Sequence, residues 1–262
     1  MRPSDPAAMT SDRVAGSSTL GTPVPPDASP YWRFYDAVAA AQLASWLPKA
    51  AARVLDVSAG RRFATQLSAA GHEVVHVLED AVPPPQVPGP GRLMPVVADI
   101  QSLDWLGDAC VDLVLAESRT LSLCLATEVT VEGLFRVLRP GGRLLLVVDS
   151  LSLGLARLAE QGRWAELADA PSADVVLVPA DDGTIRRCFW PEELRGLLED
   201  AGMDVEWVRP RSVLTPVTVE RALLQGGDAA LRTLVRTEVA LAVEREGTST
   251  GLHLVASARR PG

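Results

Sequence analysis

The stretch FRVLRPGGRLLLVV, residues 135–148, contains the change of pattern that decides the fold. A helix predicted near 128–138 must stop at the Pro-Gly-Gly turn that begins at Pro140, because proline and glycine disfavour a helix interior. The next residues, Arg143–Val148, are apolar without alternation, which is typical of a parallel strand covered on both faces. The stretch therefore predicts the central strand of a parallel sheet.

Four further strands are predicted before this one, and each ends at or beside an acidic residue. They are Arg53–Val57, Glu73–Leu78, Leu93–Ala98 and Val111–Ala116. Helices alternate with these strands, and the first helix begins after an N-cap at Ser29. This alternation predicts a doubly wound α/β sheet, which binds ligands beyond the carboxyl ends of its strands.

The second half of the chain departs from simple alternation. After a helix at 151–168, a hairpin is predicted from 175–178 and 184–189. The remaining predicted elements are a helix at 191–201, a sixth strand at 204–208, a helical stretch at about 216–245 and a last strand at 252–258. We interpret about 151–189 and 209–249 as lid-type insertions standing over the strand ends.

Composition limits the classes of protein and partner. The 262 residues carry a formal net charge of −8 and show no basic patch, so we expect neither nucleic acid nor a membrane as partner. Three widely spaced cysteines indicate reduced thiols in a cytoplasmic protein, and no metal site is predicted. Residues 1–28, rich in proline, serine and alanine, are predicted to be a disordered tail. The oligomeric state is not predicted.

The turn after the first strand argues against a dehydrogenase-type dinucleotide site. Such a site needs GxGxxG directly after the strand, so that backbone can approach a pyrophosphate. Here the sequence is DVSAGRRFA from Asp56 onward, with Gly60 as its single glycine. A dinucleotide would therefore meet side chains where it needs backbone.

Several motifs in this order resemble the class I S-adenosylmethionine-dependent methyltransferases. They are Val54-Leu55-Asp56-Val57, Val97-Ala98-Asp99, Asp112-Leu113-Val114-Leu115, the 135–148 stretch and PEELRGLLEDAGMDVEWV at 191–208. The match covers roughly 30–208 plus the last strand. It implies one methyltransferase-like domain at 29–262, with a Rossmann-like, mostly parallel seven-stranded sheet whose last strand is antiparallel.

The resemblance also implies S-adenosylmethionine as cofactor. The residues it places at the cofactor are Tyr35, Asp56, Ser58, Gly60, Glu79, Asp99 and Glu117. In this family an acid at the end of the second strand accepts hydrogen bonds from the ribose hydroxyls. Its expected register falls on Leu78, so Glu79 or Asp80 takes this place by a small slip. Asp99 matches the position of the acid that faces the adenine amino group. The alternatives are a solvated loop acid for Glu79 and a helix cap for Asp99.

The loop after the first strand departs from the family pattern, D-x-G-x-G-x-G, and is one residue short. Arg61 and Arg62 follow its single glycine. One of these arginines either pairs with the cofactor carboxylate or fills the pocket, or both lie outside it as solvated residues at a helix start.

Residues after the fourth and fifth strands lie where the cofactor and a methyl acceptor would meet. Glu117 and Asp149 are the candidate bases, although Asp149 could instead cap the helix that follows. Arg119 and, in the lid, Trp164 are the candidate substrate residues. The predicted function is methyl transfer to a small, hydrophobic molecule; the alternative is a non-methylating protein on the same fold.

Overall fold

The computed structural model describes residues 29–80, 89–173, 175–180 and 183–262. The predicted tail at 1–28 lies outside the described residues. Within them, no helix combines the length and the apolar character needed to cross a membrane.

The predicted strands are present in the first half of the described chain, although no helix lies between β2 and β3 or between β3 and β4 among the described residues. The strands are β1 (Arg53–Asp56), β2 (Glu73–Leu78), β3 (Arg92–Val97), β4 (Val111–Ala116), β5 (Leu138–Ser150), β6 (Val176–Pro179), β7 (Ile185–Phe189), β8 (Asp204–Arg211) and β9 (His253–Arg259). The helices are α1 (Pro30–Trp46), α2 (Arg62–Ala69), α3 (Thr120–Leu123), α4 (Thr127–Val137), α5 (Leu151–Glu160), α6 (Trp164–Asp169), α7 (Pro191–Asp200) and α8 (Pro216–Glu244).

Seven of the described strands form the predicted sheet. The parallel strands lie in the order β3-β2-β1-β4-β5, β9 pairs with β5 in the antiparallel sense, and β8 pairs with β9. The β6–β7 hairpin adds two more strands, through Asp149 and Ser150 of β5, which pair with Cys188 and Phe189. The pairing of β4 with β5 ends at Leu146, so this edge of β5 is open to the hairpin.

The central strand β5 is buried on both faces, as its uninterrupted apolar sequence predicts. Leu144, Leu146 and Val148 face one hydrophobic cluster, whereas Leu145 and Val147 face another. This arrangement places helices on both sides of the sheet and leaves the carboxyl ends of the strands as its polar edge.

Strand β5 begins at Leu138, before the Pro-Gly-Gly turn that was predicted to precede it, because Leu138 already pairs with Val111 of β4. Other elements also differ from the prediction, each for a local reason. The helix predicted at 151–168 is two helices, because Gly162 takes a left-handed φ of 68° between them. Helix α8 is interrupted at Gly227, where φ is 50° and ψ is −136°. Strand β8 continues three residues beyond Val208, because pairing with β9 extends to Arg211.

Candidate functional site

A cavity of about 620 Å³ opens at the carboxyl ends of β1, β2 and β3. Its volume is within the range of small-molecule sites, roughly 300–1,000 Å³. The lining residues are Val57, Ser58, Ala59, Gly60, Val77, Leu78, Glu79, Val97, Ala98, Asp99, Ile100, Gln101, Thr120, Leu123 and Cys124. Four of the predicted cofactor residues thus lie on its wall: Ser58, Gly60, Glu79 and Asp99.

The loop after β1 forms one side of this cavity and is held by Asp56. The Asp56 side chain is fully buried, and its Oδ1 accepts a hydrogen bond of 2.9 Å from the backbone N–H of Ser58. Gly60 has a φ of 77°, and a Cβ added to it would meet no atom within 4 Å. The loop backbone therefore lines the cavity, with free space beside Gly60, whereas the buried Asp56 side chain does not line it.

Two acidic side chains line the cavity after β2 and β3. Glu79 and Asp99 are both exposed, and Oδ1 of Asp99 accepts a 2.8 Å hydrogen bond from the backbone N–H of Gln101. This bond closes a local turn rather than capping a helix. In the described part of the chain no side chain pairs with either acid, so both can accept hydrogen bonds from a bound molecule.

The two arginines of the loop do not line the cavity. Arg62 forms an ion pair with Asp36 of α1, and its guanidinium lies 5.5 Å from the centre of the Phe63 ring. Arg61 is half-buried at the start of α2. The departure from the family's loop therefore leaves the described cavity open.

Glu117 forms a buried ion pair with Arg211 instead of lining the cavity. The Arg211 guanidinium donates hydrogen bonds of 2.8 and 2.9 Å to the two Glu117 oxygens, and its Nε donates to Gln42 at 2.7 Å. Tyr35 also lies here, because its hydroxyl accepts from Arg211 at 3.4 Å. Burial alone would lower the pKa of Arg211, but Glu117 and Tyr35 raise it above its ordinary value.

Asp149 occupies a second buried cluster, which also contains Arg119. Its side chain is fully buried, with Arg119, Arg157 and Arg186 each 3.7 Å away and Nε2 of His253 at 3.5 Å. Asp149 does not cap α5. That role belongs to Ser150, whose Oγ accepts from the N–H of Leu153.

The loop between β4 and α3 connects the cavity with both buried clusters. The backbone N–H of Glu117 donates to Ser58 Oγ at 2.9 Å, and the Ser118 hydroxyl donates to the carbonyl of Ala59. Ser118 and Arg119 have left-handed φ values of 63° and 61°. Such backbone is strained for residues other than glycine, and strain of this kind is common at functional sites.

The remaining predicted residue, Trp164, begins α6 with 66% of its surface exposed and does not line the cavity. Eight further residues were not predicted as site residues: Gln101, Thr120, Leu123 and Cys124 of the cavity, and Arg157, Arg186, Arg211 and His253 of the clusters. The first four follow β3 and β4, so their position after a strand could have indicated them. The other four come from distant elements and carry no local signal.

The described residues contain no group of three or more His, Cys, Asp or Glu side chains that could hold a metal ion. Burial raises the pKa of the Cys124 thiol, and the nearby Asp99 and Glu79 carboxylates raise it further. The Cys124 thiol on the cavity wall is therefore neutral at physiological pH.

Comparison with known proteins gives matches among solved structures only; no family model and no curated protein matches the sequence. An S-adenosylmethionine-dependent methyltransferase from Methanosarcina mazei is 18% identical, with a TM-score of 0.56 over 84% of this chain and 97% of the other. The 1,6-didemethyltoxoflavin-N1-methyltransferase of Burkholderia thailandensis, crystallised with 1,6-didemethyltoxoflavin and S-adenosylhomocysteine, is 20% identical. Its TM-score is 0.53, over 88% of this chain and 81% of that one. The chain has the fold of the class I S-adenosylmethionine-dependent methyltransferases.

Proposed function

We propose that the protein binds S-adenosylmethionine in the cavity at the ends of β1–β3 and transfers its methyl group to a small molecule. The observation that carries this proposal is the convergence of Gly60, Glu79 and Asp99 on one cavity. These three residues come from the ends of three neighbouring strands, in the positions that the resemblance assigns to the cofactor.

The described residues fit this cofactor. A carboxylate with two acceptor oxygens, such as Glu79, suits a pair of ribose hydroxyls, and Asp99 has acceptor capacity for an adenine amino group. Leu78 and Ile100 supply apolar walls beside these acids. The open space at Gly60 lets a ligand approach the backbone closely.

The chemistry requires placement more than covalent help. The cofactor supplies a methyl group already activated by a sulfonium centre, so the protein must hold an acceptor in line with it. Glu117 was predicted as a base, but its two hydrogen bonds to Arg211 support a positioning role for the β4–α3 loop. Asp149, which accepts no side-chain hydrogen bond in the described part of the chain, is the carboxylate that we propose faces the acceptor.

The experiment is calorimetric titration of the full chain with S-adenosylhomocysteine. Glu79→Gln and Asp99→Asn each remove a charged acceptor, and loss of a hydrogen bond of this kind costs about 1–3 kcal/mol. We therefore expect each variant to bind about tenfold more weakly or worse. Glu73→Gln is the matched control, because Glu73 is an exposed acid at the opposite end of β2.

Failure of the wild-type protein to bind S-adenosylhomocysteine would overturn the proposal. Equal affinity of all three variants would place the cofactor elsewhere in the molecule. Transfer of a labelled methyl group to an acceptor, abolished in the same two variants, would establish the activity itself.

A further inference from the structure

A second cavity, of about 720 Å³, opens between α1 and α8. It shares no lining residue with the cavity at the ends of β1–β3, and its volume is also within the range of small-molecule sites. Its apolar wall consists of six side chains from the two helices: Pro30, Ala37 and Ala40 of α1, and Leu223, Leu224 and Leu231 of α8.

Small residues create this space. Ala37 and Ala40 lie three positions apart, on one side of α1, beside the face whose Phe34 and Val38 belong to the hydrophobic cluster that joins α1 to α8. Opposite them, α8 is broken at Gly227, where a Cβ would meet no atom within 4 Å. Two methyl side chains facing a broken helix therefore leave a gap that larger residues would fill.

The leucines of α8 favour a ligand with a large apolar surface. Leu223 and Leu231 are half-buried, and Leu224 is 81% exposed. A molecule in the cavity removes apolar surface of all three from water, which is favourable in proportion to the area covered. A flat ring also fits against Ala37 and Ala40, because each side chain is a single methyl group.

The charged side chains on the cavity wall are Arg33, Asp36 and Arg62, and each is already paired. Arg33 donates a 2.7 Å hydrogen bond to Asp228, and Arg62 forms its ion pair with Asp36. A charged ligand would leave water without gaining a free counter-charge among the described residues, which is unfavourable. The wall therefore favours an uncharged ligand.

The two cavities meet the same loop, the one that follows β1. Gly60 lines the cavity at the ends of β1–β3, and Arg62 lines the cavity between the helices. Two residues of chain span at most about 7 Å, so the two walls are close although they share no residue. A molecule bound between α1 and α8 is thus a neighbour of the proposed cofactor and not a competitor for its place.

We propose that the cavity between α1 and α8 binds an uncharged aromatic small molecule, at a site separate from that of S-adenosylmethionine. The apolar walls provide affinity, and the paired charges exclude ions. This binding does not depend on the proposed function.

Ligand-observed NMR titration of the full chain tests the class of ligand, with three probes of nearly equal size. Naphthylmethanol is uncharged, naphthoate is an anion, and naphthylmethylammonium is a cation. We expect naphthylmethanol to bind about tenfold more tightly than either ion. Equal affinity of the three probes, or tighter binding of one of the ions, overturns the inference.

Two variants place the probe between the helices. Ala37→Leu fills the cavity and should weaken naphthylmethanol binding about tenfold, and Leu224→Ser removes part of the wall and should weaken it about fivefold. Val217→Ser is the matched control, because Val217 is 65% exposed on the same helix and does not line the cavity. If Ala37→Leu does not fold, Ala40→Leu replaces it. Unchanged affinity in the cavity variants, or an equal loss in Val217→Ser, overturns the inference.

The same samples exclude other occupants of the cavity. Failure of naphthylmethanol to bind the full chain overturns the inference, whatever covers the α1–α8 cavity. If sedimentation equilibrium then shows a dimer that Leu224→Ser dissociates, this surface is an interface between two copies of the chain.

Titration with S-adenosylhomocysteine separates the two proposals. We expect naphthylmethanol to bind with the same affinity when S-adenosylhomocysteine is saturating, and competition between the two would overturn the separate site. If naphthylmethanol binds and S-adenosylhomocysteine does not, this inference stands and the proposed function fails. The reverse result leaves the proposed function standing and overturns the inference.

Discussion

Replacing Arg211 with methionine tests whether the buried ion pair holds the site together. Arg211 is fully buried, Glu117 is 1% exposed, and the two share hydrogen bonds of 2.8 and 2.9 Å. Arg211→Met keeps a long apolar side chain but leaves the Glu117 carboxylate buried without its cation. Removing one partner of such a pair costs about 3–5 kcal/mol, because the remaining charge is uncompensated.

The double variant separates this penalty from the net value of the pair. In Glu117→Gln/Arg211→Met no charge is left unpaired, so we expect it to recover a large part of the stability lost in Arg211→Met. The matched control is Arg33→Met with Asp228→Asn, a pair of 2.7 Å with both side chains more than half exposed. Exposed pairs contribute less than about 1 kcal/mol.

Urea denaturation, followed by circular dichroism, measures the free energy of unfolding of each variant. A loss of less than 1 kcal/mol in Arg211→Met, or a double variant less stable than either single one, would refute the reasoning. Because Glu117 also donates its backbone N–H to Ser58 of the cavity, we expect Arg211→Met to weaken binding of S-adenosylhomocysteine as well.

Three further predictions concern single residues. Gly60 and Gly247 have similar left-handed φ values of 77° and 74°, and a Cβ at either would meet no atom within 4 Å. Gly60→Ala and Gly247→Ala should therefore each lower stability by about 1 kcal/mol. Only Gly60→Ala should also weaken the binding of S-adenosylhomocysteine, measured by calorimetry. Between pH 7.5 and 5 His253 becomes protonated in the unfolded chain but not in the folded protein, so the free energy of unfolding decreases as the pH is lowered. Urea denaturation of His253→Gln should show a smaller decrease over the same pH range. Burial raises the pKa of Cys188 to about 12, so at pH 8 iodoacetamide should modify the half-buried Cys110 in the folded protein and leave Cys188 intact by mass spectrometry.

The central strand and the acids of the cavity wall were predictable because their signals are local. The apolar run at 143–148 has no alternation, as expected of a strand covered on both faces. Strand β5 itself begins earlier, at Leu138, so the Pro-Gly-Gly stretch lies inside it. Glu79 and Asp99 follow directly after β2 and β3, and parallel strands end at one edge of their sheet. Their position at the same edge of the sheet was therefore predictable from the sequence.

The partners of the buried acids were not predictable from the sequence. Arg211 reaches Glu117 because β8 runs three residues further than its apolar pattern indicates, and pairing with β9 supplies the hydrogen bonds that sustain it. Asp149 is surrounded by side chains from α5, β7 and β9, which lie far apart in the chain. Sequence determined which acids end the strands. Tertiary packing decided that Glu79 and Asp99 face a cavity while Glu117 and Asp149 are buried among arginines, because a carboxylate's role depends on the cations and space that distant elements bring to it.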